Sequence, residues 1–168
     1  MKVLVTYYSD TGNTEKLARS IYEAIPDDKE IKRVQDTKGS AGYDLVFCGF
    51  PVHAHSVPNA AAQFIKELPE GQSVAFFSTH GSLRGGHLPR QAFEHALSLA
   101  VKARVLGHFG CRGQVSEKVI DNLMKKPEHH AWAQEALGAS GHPDINDLED
   151  GRRFAVNIIK KLEEERTA

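Results

Sequence analysis

A run of short polar side chains follows the first apolar segment of the chain, residues 2–8. The run leads directly into a segment with the apolar spacing of a helix, so it lies at a helix N-terminus. There the first N–H groups lack intrahelical partners, and the helix dipole favours anions. Hydroxyl and amide groups donate hydrogen bonds to phosphate oxygens, and a glycine lets the backbone approach them closely. The residues are Ser9, Asp10, Thr11, Gly12, Asn13 and Thr14.

The charge of this run indicates which kind of phosphate it suits. The run contains no lysine or arginine before Lys16, so neutral donors would hold the ligand, as suits a phosphate monoester. A triphosphate with its magnesium ion fits less well, because the run lacks the Gly-x-x-x-x-Gly-Lys-Ser/Thr pattern of such sites. A helix cap without a ligand is the alternative. A single cap, however, does not need several hydroxyl groups and a Gly-Asn pair.

Length and composition restrict the class of protein. A chain of 168 residues, 40% of them hydrophobic, is long enough for one domain over 1–168. A net charge of −1 does not favour binding to nucleic acid or to an anionic membrane. The sequence shows no apolar run of about 18 residues and no signal peptide, so we expect a cytoplasmic protein. Cys48 and Cys111 form no Cys-x-x-Cys pair, so neither a disulfide framework nor a zinc site on paired cysteines is expected.

Strand-like apolar segments alternate with segments of helical periodicity along most of the chain. The pattern predicts strands over 2–8, 30–35, 44–50, 73–78 and 104–109. It predicts helices over 13–25, 87–102 and about 146–164. A further helix is predicted to begin at Pro58 and to end before the helix-breaking residues 69–71. The segment 112–146, before the last helix, is much longer than an ordinary connection and contains two short predicted helices, 116–124 and 128–137.

This alternation predicts an α/β fold with a doubly wound, five-stranded parallel sheet. The charged second strand is expected at an edge of the sheet. The continuous apolar run 44–50 is expected in a strand covered on both faces. Ligands of such sheets bind beyond the carboxyl ends of the strands. The loops after the first, third, fourth and fifth strands therefore form the candidate site.

The sequence Tyr8-Ser9-Asp10-Thr11-Gly12-Asn13-Thr14-Glu15 resembles the phosphate loop of the flavodoxins, which are small flavoproteins that bind FMN. The resemblance implies FMN as the cofactor. It implies that the side chains of Ser9, Thr11, Asn13 and Thr14 and the backbone around Gly12 hold the FMN phosphate. It also implies the strand order 2-1-3-4-5 and a flavodoxin-like three-layer sandwich. With its helical insertion 112–146, the chain is similar to a subgroup of flavodoxin-like proteins rather than to the short electron carriers.

The same resemblance places two loops against the isoalloxazine ring of the flavin. The first wall follows the third strand, where many flavodoxins stack a tryptophan or tyrosine on the ring. Its residues are Pro51, Val52, His53, Ala54 and His55, so this chain departs from that pattern. The second wall follows the fourth strand, where backbone N–H groups would bond the ring and adjust its potentials. Its residues are Ser78, Thr79, His80 and Gly81. A glycine-rich turn without ligand contact is the alternative there.

The loop expected after the fifth strand contributes Cys111 to the predicted cofactor site. Its neighbour Arg112 would face the ring carbonyls or an anionic substrate, and would depress the pKa of the thiol. A lone cysteine after a strand is, however, more often inert, so no catalytic thiol is assigned.

Histidines of the site loops and of the insertion each have two interpretations. His53 and His55 allow a metal site, but histidines on separate loops are thin evidence for one, and no metal is expected. In the insertion, 129–132 contains two histidines and a tryptophan. These residues either cover the pocket or meet a partner, or they are ordinary surface and packing residues.

Together these features predict an FMN-binding, flavodoxin-like protein that transfers electrons to a redox partner protein. No acid–base or nucleophilic set stands out in the sequence, so no catalytic residue is assigned. Flavodoxins are usually strongly acidic, whereas this chain is nearly neutral. A dedicated partner or a small-molecule electron acceptor is therefore expected. An FMN-dependent NAD(P)H oxidoreductase acting on a quinone-like acceptor, and a flavodoxin-fold module without FMN, are the alternatives.

Overall fold

A computed structural model describes residues 1–26 and 28–168. It contains one parallel sheet with the strand order β2-β1-β3-β4-β5. The strands are β1 (Lys2–Tyr7), β2 (Asp28–Arg33), β3 (Leu45–Pro51), β4 (Ser73–His80) and β5 (Arg104–Arg112). This sheet confirms the predicted α/β fold class and the predicted strand order.

Helices cover both faces of this sheet. They are α1 (Asn13–Ala24), α2 (Asn59–Lys66), α3 (His87–Leu99), α4 (Glu117–Met124), α5 (His130–Leu137) and α6 (Ile145–Thr167), with 3₁₀ turns at Val34–Asp36 and Pro127–His129. Helices α1 and α6 pack on one face, and α2 and α3 pack on the other. Of the helices that the structure describes, none is both long enough and apolar enough to cross a membrane.

Two apolar cores result from the alternation of side chains along the strands. In β1, Val3 and Val5 belong to the core beneath α1 and α6, whereas Leu4 belongs to the core beneath α2 and α3. Every residue of β3 before Pro51 is buried. The apolar run 44–50 is therefore the central strand that its composition predicts.

The edge strand β2 is charged and pairs with β1. Glu30 lies between two lysines, with its carboxylate 2.5 Å from Lys32 Nζ and 3.1 Å from Lys2 Nζ. Hydrogen bonds from these two lysines lower the pKa of Glu30 to about 2. A row of exposed charges protects a sheet edge from pairing with another chain. The predicted edge position of this strand is confirmed.

Strand β5 continues to Arg112, beyond its predicted end at residue 109. Its last three residues pair with Ser78, Thr79 and His80 of β4. The strands approach closely at this point, since a Cβ at Gly110 would lie 3.1 Å from Ser78 Oγ. The loop at the carboxyl end of β5 therefore begins at Gly113 rather than at Gly110.

Gly49 in β3 is required by the packing between strands, because a Cβ at this position would overlap the ring of Phe77 in β4. We expect Gly49→Ala to lower the free energy of unfolding by about 3 kcal/mol, since the rigid strand leaves the ring nowhere to move. Urea denaturation measures the loss. Gly107→Ala is the matched control, because its Cβ would meet the flexible end of Ile158 at 2.9 Å. Equal losses in the two variants would contradict this account of Gly49.

Candidate functional site

A cavity of about 460 Å³ lies at the carboxyl edge of the sheet. It is lined by residues of the segments 9–14, 51–54, 79–81 and 113–116, together with Val119. The first three segments are the phosphate loop and the two ring walls predicted from the sequence. They meet because parallel strands place their following loops at one edge. The volume lies within the range of small-molecule sites.

The phosphate loop, residues 9–14, turns into α1 through Gly12. Gly12 is the N-cap of α1 and has a φ of 95°, in the left-handed region that favours glycine. Ser9 Oγ accepts hydrogen bonds from the N–H groups of Gly12 at 3.1 Å and Glu15 at 3.4 Å, which holds the turn closed. Because Gly12 has no side chain with which to cap the helix, this end of α1 is suited to an external anion.

Asn13 and Thr14 line the cavity and also connect the phosphate loop to its neighbours. Asn13 Nδ2 donates to the backbone carbonyl of Gln114 at 2.9 Å. The hydroxyl groups of Thr14 and Thr79 are 2.8 Å apart and share a hydrogen bond. Sequence reasoning assigned both side chains to the phosphate, and that role stays a prediction. The structure adds that these side chains fix the position of the loop.

Asp10 connects the phosphate loop to the loop after β3. Its carboxylate accepts a hydrogen bond from Tyr8 Oη at 2.7 Å and lies 2.5 Å from His53 Nε2. Burial opposes ionisation of Asp10, but the hydrogen bonds from Tyr8 and His53 hold its pKa below the usual value. His53 therefore pairs with a carboxylate of the predicted phosphate loop.

The loop after β3 makes a tight turn at Ala54, whose φ of 55° is unusual for a residue with a side chain. His53 and Ser56 close the turn through two backbone hydrogen bonds of 3.1 and 2.9 Å. Pro51, Val52, His53 and Ala54 line the cavity beside the phosphate loop, whereas His55 lines a neighbouring cavity. The predicted first wall is thus divided between two cavities.

Thr79 and His80, the last residues of β4, and Gly81 directly after them line the cavity, whereas Ser78 is fully buried in the strand. His80 Nδ1 donates to the backbone carbonyl of Ser82 at 2.8 Å. Burial lowers the pKa of His80 to about 4, and the positive charges of Arg112 and Arg84 act in the same direction. At neutral pH the ring is therefore uncharged, and its Nε2 is a hydrogen-bond acceptor.

Cys111 does not lie in a loop at the cavity, which corrects the prediction for this residue. It belongs to β5, and its fully buried side chain packs in the core beneath α1 and α6. Burial raises the pKa of its thiol to about 12 rather than lowering it, which agrees with an inert cysteine. Arg112 Nη2 donates to the backbone carbonyl of Glu135 in α5 at 2.5 Å. The guanidinium therefore holds the insertion.

The predicted loop after the fifth strand lines the cavity through residues 113–116 rather than through Cys111, and sequence reasoning missed the role of Arg84. Gly113 lies against Asn13, and a Cβ there would be 2.9 Å from the Asn13 amide nitrogen. Arg84 donates to Asp147 at 2.8 Å and to Asp150 at 2.7 Å, which ties the loop after β4 to α6. These contacts join residues far apart in sequence, so no local pattern indicated them.

A five-stranded parallel sheet in the order 2-1-3-4-5, with a polar loop and a helix N-terminus at its switch point, is typical of the flavodoxin-like class of α/β proteins. The model of the flavodoxin domain family matches residues 4–156. The chain is also 30% identical over 173 residues to the flavodoxin-like domain-containing protein BilS of Clostridioides difficile (strain CD3), with 96% of this chain and 98% of that protein covered. The chain therefore belongs to the flavodoxin family of FMN-binding flavoproteins.

Solved structures share this fold at low sequence identity. Oxidised flavodoxin 2 from Bacillus cereus aligns with a TM-score of 0.62 and 17% identity, over 96% of this chain and 99% of its own. A flavoprotein in complex with FMN from Lactobacillus acidophilus NCFM aligns with a TM-score of 0.54 and 22% identity, over 65% of this chain and 92% of its own.

His108 is a second histidine whose pKa lies well below the usual value. Its ring stacks on Phe93 with centroids 4.2 Å apart. Its buried Nε2 has no hydrogen-bond partner among the residues that the structure describes. Burial lowers the pKa of His108 to about 4, and the nearby His80 contributes in the same direction.

We expect the free energy of unfolding to fall as the pH drops from 7 to 5. In the unfolded chain a histidine takes up its proton near pH 6.5, whereas His80 and His108 stay neutral in the folded protein until about pH 4. Acid therefore favours the unfolded state, by roughly 2 kcal/mol per histidine over this interval. Urea denaturation at several pH values measures the loss. His108→Phe keeps the stacking on Phe93 and should remove about half of the loss of stability between pH 7 and pH 5. An unchanged pH dependence in this variant would contradict the assignment.

Proposed function

We propose that this protein binds FMN at the carboxyl edge of the sheet and carries electrons to a redox partner protein. The observation that carries the proposal is the convergence of the phosphate loop, the segment 51–54 and the segment 79–81 on one cavity. The family of the chain supports the same ligand, and so does the solved flavoprotein–FMN complex that shares its fold.

The donors at the phosphate loop fit a phosphate monoester. Ser9 and Thr11 contribute hydroxyl groups to the cavity, and α1 contributes its N-terminus. Among the described residues that line this cavity there is no lysine or arginine. Hydrogen bonds and the helix dipole would therefore hold the phosphate. The carboxylate of Asp10 is already engaged by Tyr8 and His53, which limits its repulsion of the ligand.

Bound FMN supplies the electron-transfer chemistry, and the protein controls its binding and environment. His80 contributes a neutral imidazole to the wall of the cavity, so it places no positive charge there at neutral pH. Thr79 contributes a backbone carbonyl that accepts from the N–H of Val52 at 2.9 Å, which joins the two predicted ring walls. These contacts hold the walls in place around a ligand.

A net charge of −1 supports a dedicated partner rather than many partners attracted at long range. Direct reduction by NAD(P)H, with a quinone-like compound as the acceptor, is the competing function. The two functions differ in the source of electrons, which an experiment can identify.

The first experiment is a visible absorption spectrum of the protein after incubation with excess FMN and desalting. We expect flavin bands that correspond to about one FMN per chain. Anaerobic NAD(P)H should then leave the bands unchanged, whereas a chemical reductant should bleach them. Rapid bleaching by NAD(P)H would favour the oxidoreductase instead. A colourless protein would contradict FMN binding.

Thr11→Asp tests the phosphate loop. A carboxylate at this position would repel the FMN phosphate, so we expect the affinity for FMN to fall by at least about tenfold. The affinity for riboflavin, which has no phosphate, should change little. Calorimetric or fluorescence titration measures both. Ser98→Asp adds the same charge in the last turn of α3, far from the cavity, and is the control. Equal FMN affinity in Thr11→Asp and the wild type would show that the loop assignment is wrong.

A further inference from the structure

The helical insertion after β5 borders a second cavity, of about 430 Å³, which adjoins the cavity at the phosphate loop. Apolar side chains of the insertion and of α3 line it, including Leu88, Leu123 and Trp132. The residues that line both cavities are Val52, Ala54, His80, Gly81, Val115 and Val119. A ligand can therefore have its polar end at the phosphate loop and an apolar end beneath the insertion.

Helix α4 presents an apolar face that the protein itself does not cover. Within the described part of the chain, none of its residues is buried. Val119 and Leu123 are one helical turn apart and both line the second cavity. The side chain of Val119 is 46% exposed. Apolar side chains that surround a concave space in this way favour a ligand site over ordinary surface.

Trp132 in α5 provides an aromatic surface at the same cavity. Its side chain is 46% exposed, and its indole stacks on the ring of His129 with centroids 4.9 Å apart and planes inclined by 23°. The loop after β3 contributes Val52, Ala54 and His55 to the lining of the same cavity. An indole has the flat apolar face that a planar ring requires for stacking. The insertion therefore carries the aromatic residue that the loop after β3 does not.

Hydrogen bonds fix the insertion relative to the phosphate loop. Asn13 Nδ2 donates to the carbonyl of Gln114 at the start of the insertion, at 2.9 Å. Arg112 Nη2 donates to the carbonyl of Glu135 in α5, the helix that carries Trp132. The two cavities are therefore held in a defined relation to each other.

We propose that the isoalloxazine ring of FMN binds in this apolar cavity, and that Trp132 of the insertion stacks along the ring. The proposal rests on the proposed function, since it requires FMN. The phosphate loop fixes the polar end of the ligand, and the adjoining apolar cavity receives the planar end. An additional wall of the ring site then comes from α4 and α5, elements that the two predicted ring walls do not include.

The test compares the affinities for FMN and for riboflavin in Trp132→Ala, Trp132→Phe and the wild type. Riboflavin contains the ring but lacks the phosphate, so a change at the ring site weakens both ligands by the same factor. We expect a loss of about tenfold for Trp132→Ala and recovery of most of the affinity with Trp132→Phe. The visible band of bound FMN should also shift in Trp132→Ala. Leu137→Ala is the control, because Leu137 is exposed on the same helix and does not line the cavity.

The possible outcomes separate this proposal from the function on which it rests. Wild-type affinity for both ligands in Trp132→Ala would overturn the ring placement while leaving FMN binding intact. A loss confined to FMN would also overturn it, since the change would then act at the phosphate. A wild-type protein that binds neither ligand would overturn the proposed function itself. Val119→Ser removes apolar surface from the other helix of the insertion, and it should weaken both ligands even if Trp132→Ala does not fold.

Discussion

The start of α1 at the carboxyl edge of the sheet is the constraint on which the rest of the site depends. A parallel sheet directs the ends of all its strands to one edge, and β1 occupies the position where the order of strands reverses. Gly12, in a left-handed conformation, turns the chain there so that a helix N-terminus faces the cavity. An anion bound at this point must lie beside the loops after β3 and β4, whatever side chains those loops carry.

Side-chain hydrogen bonds turn these neighbouring loops into one unit. Thr14 contacts Thr79, Asp10 contacts His53, and Asn13 contacts the carbonyl of Gln114. Each contact begins in the phosphate loop and ends in a different segment of the wall. The polar residues of this loop therefore have a structural task beside their proposed contact with phosphate. A substitution among them is expected to affect the geometry of the whole cavity, which is why a ligand without phosphate is needed to separate the two effects.

The sequence predicted those features that depend on local patterns. The helix start after β1 was visible because hydroxyl residues and Gly12 follow an apolar segment, and β3 was visible as a continuous apolar run. The end of β5 was not predictable in this way, because its last residues are held by pairing with β4 across the sheet. The same pairing buries Cys111, which appeared to be a loop residue. The position of Trp132 depends on Arg112 and on the packing of two short helices, so the sequence left open whether it covers the pocket.

If the protein carries electrons to a partner, as proposed, the insertion affects how that partner can recognise it. A chain with a net charge of −1 has little long-range attraction for a charged partner. Recognition must then come from surfaces in direct contact, and the insertion presents apolar side chains at Trp132 and Leu137. If the ring lies beneath these helices, the residues that hold the flavin are also those nearest to an approaching partner. Cofactor binding and partner choice would then depend on the same helices, so a change in the insertion would alter both together.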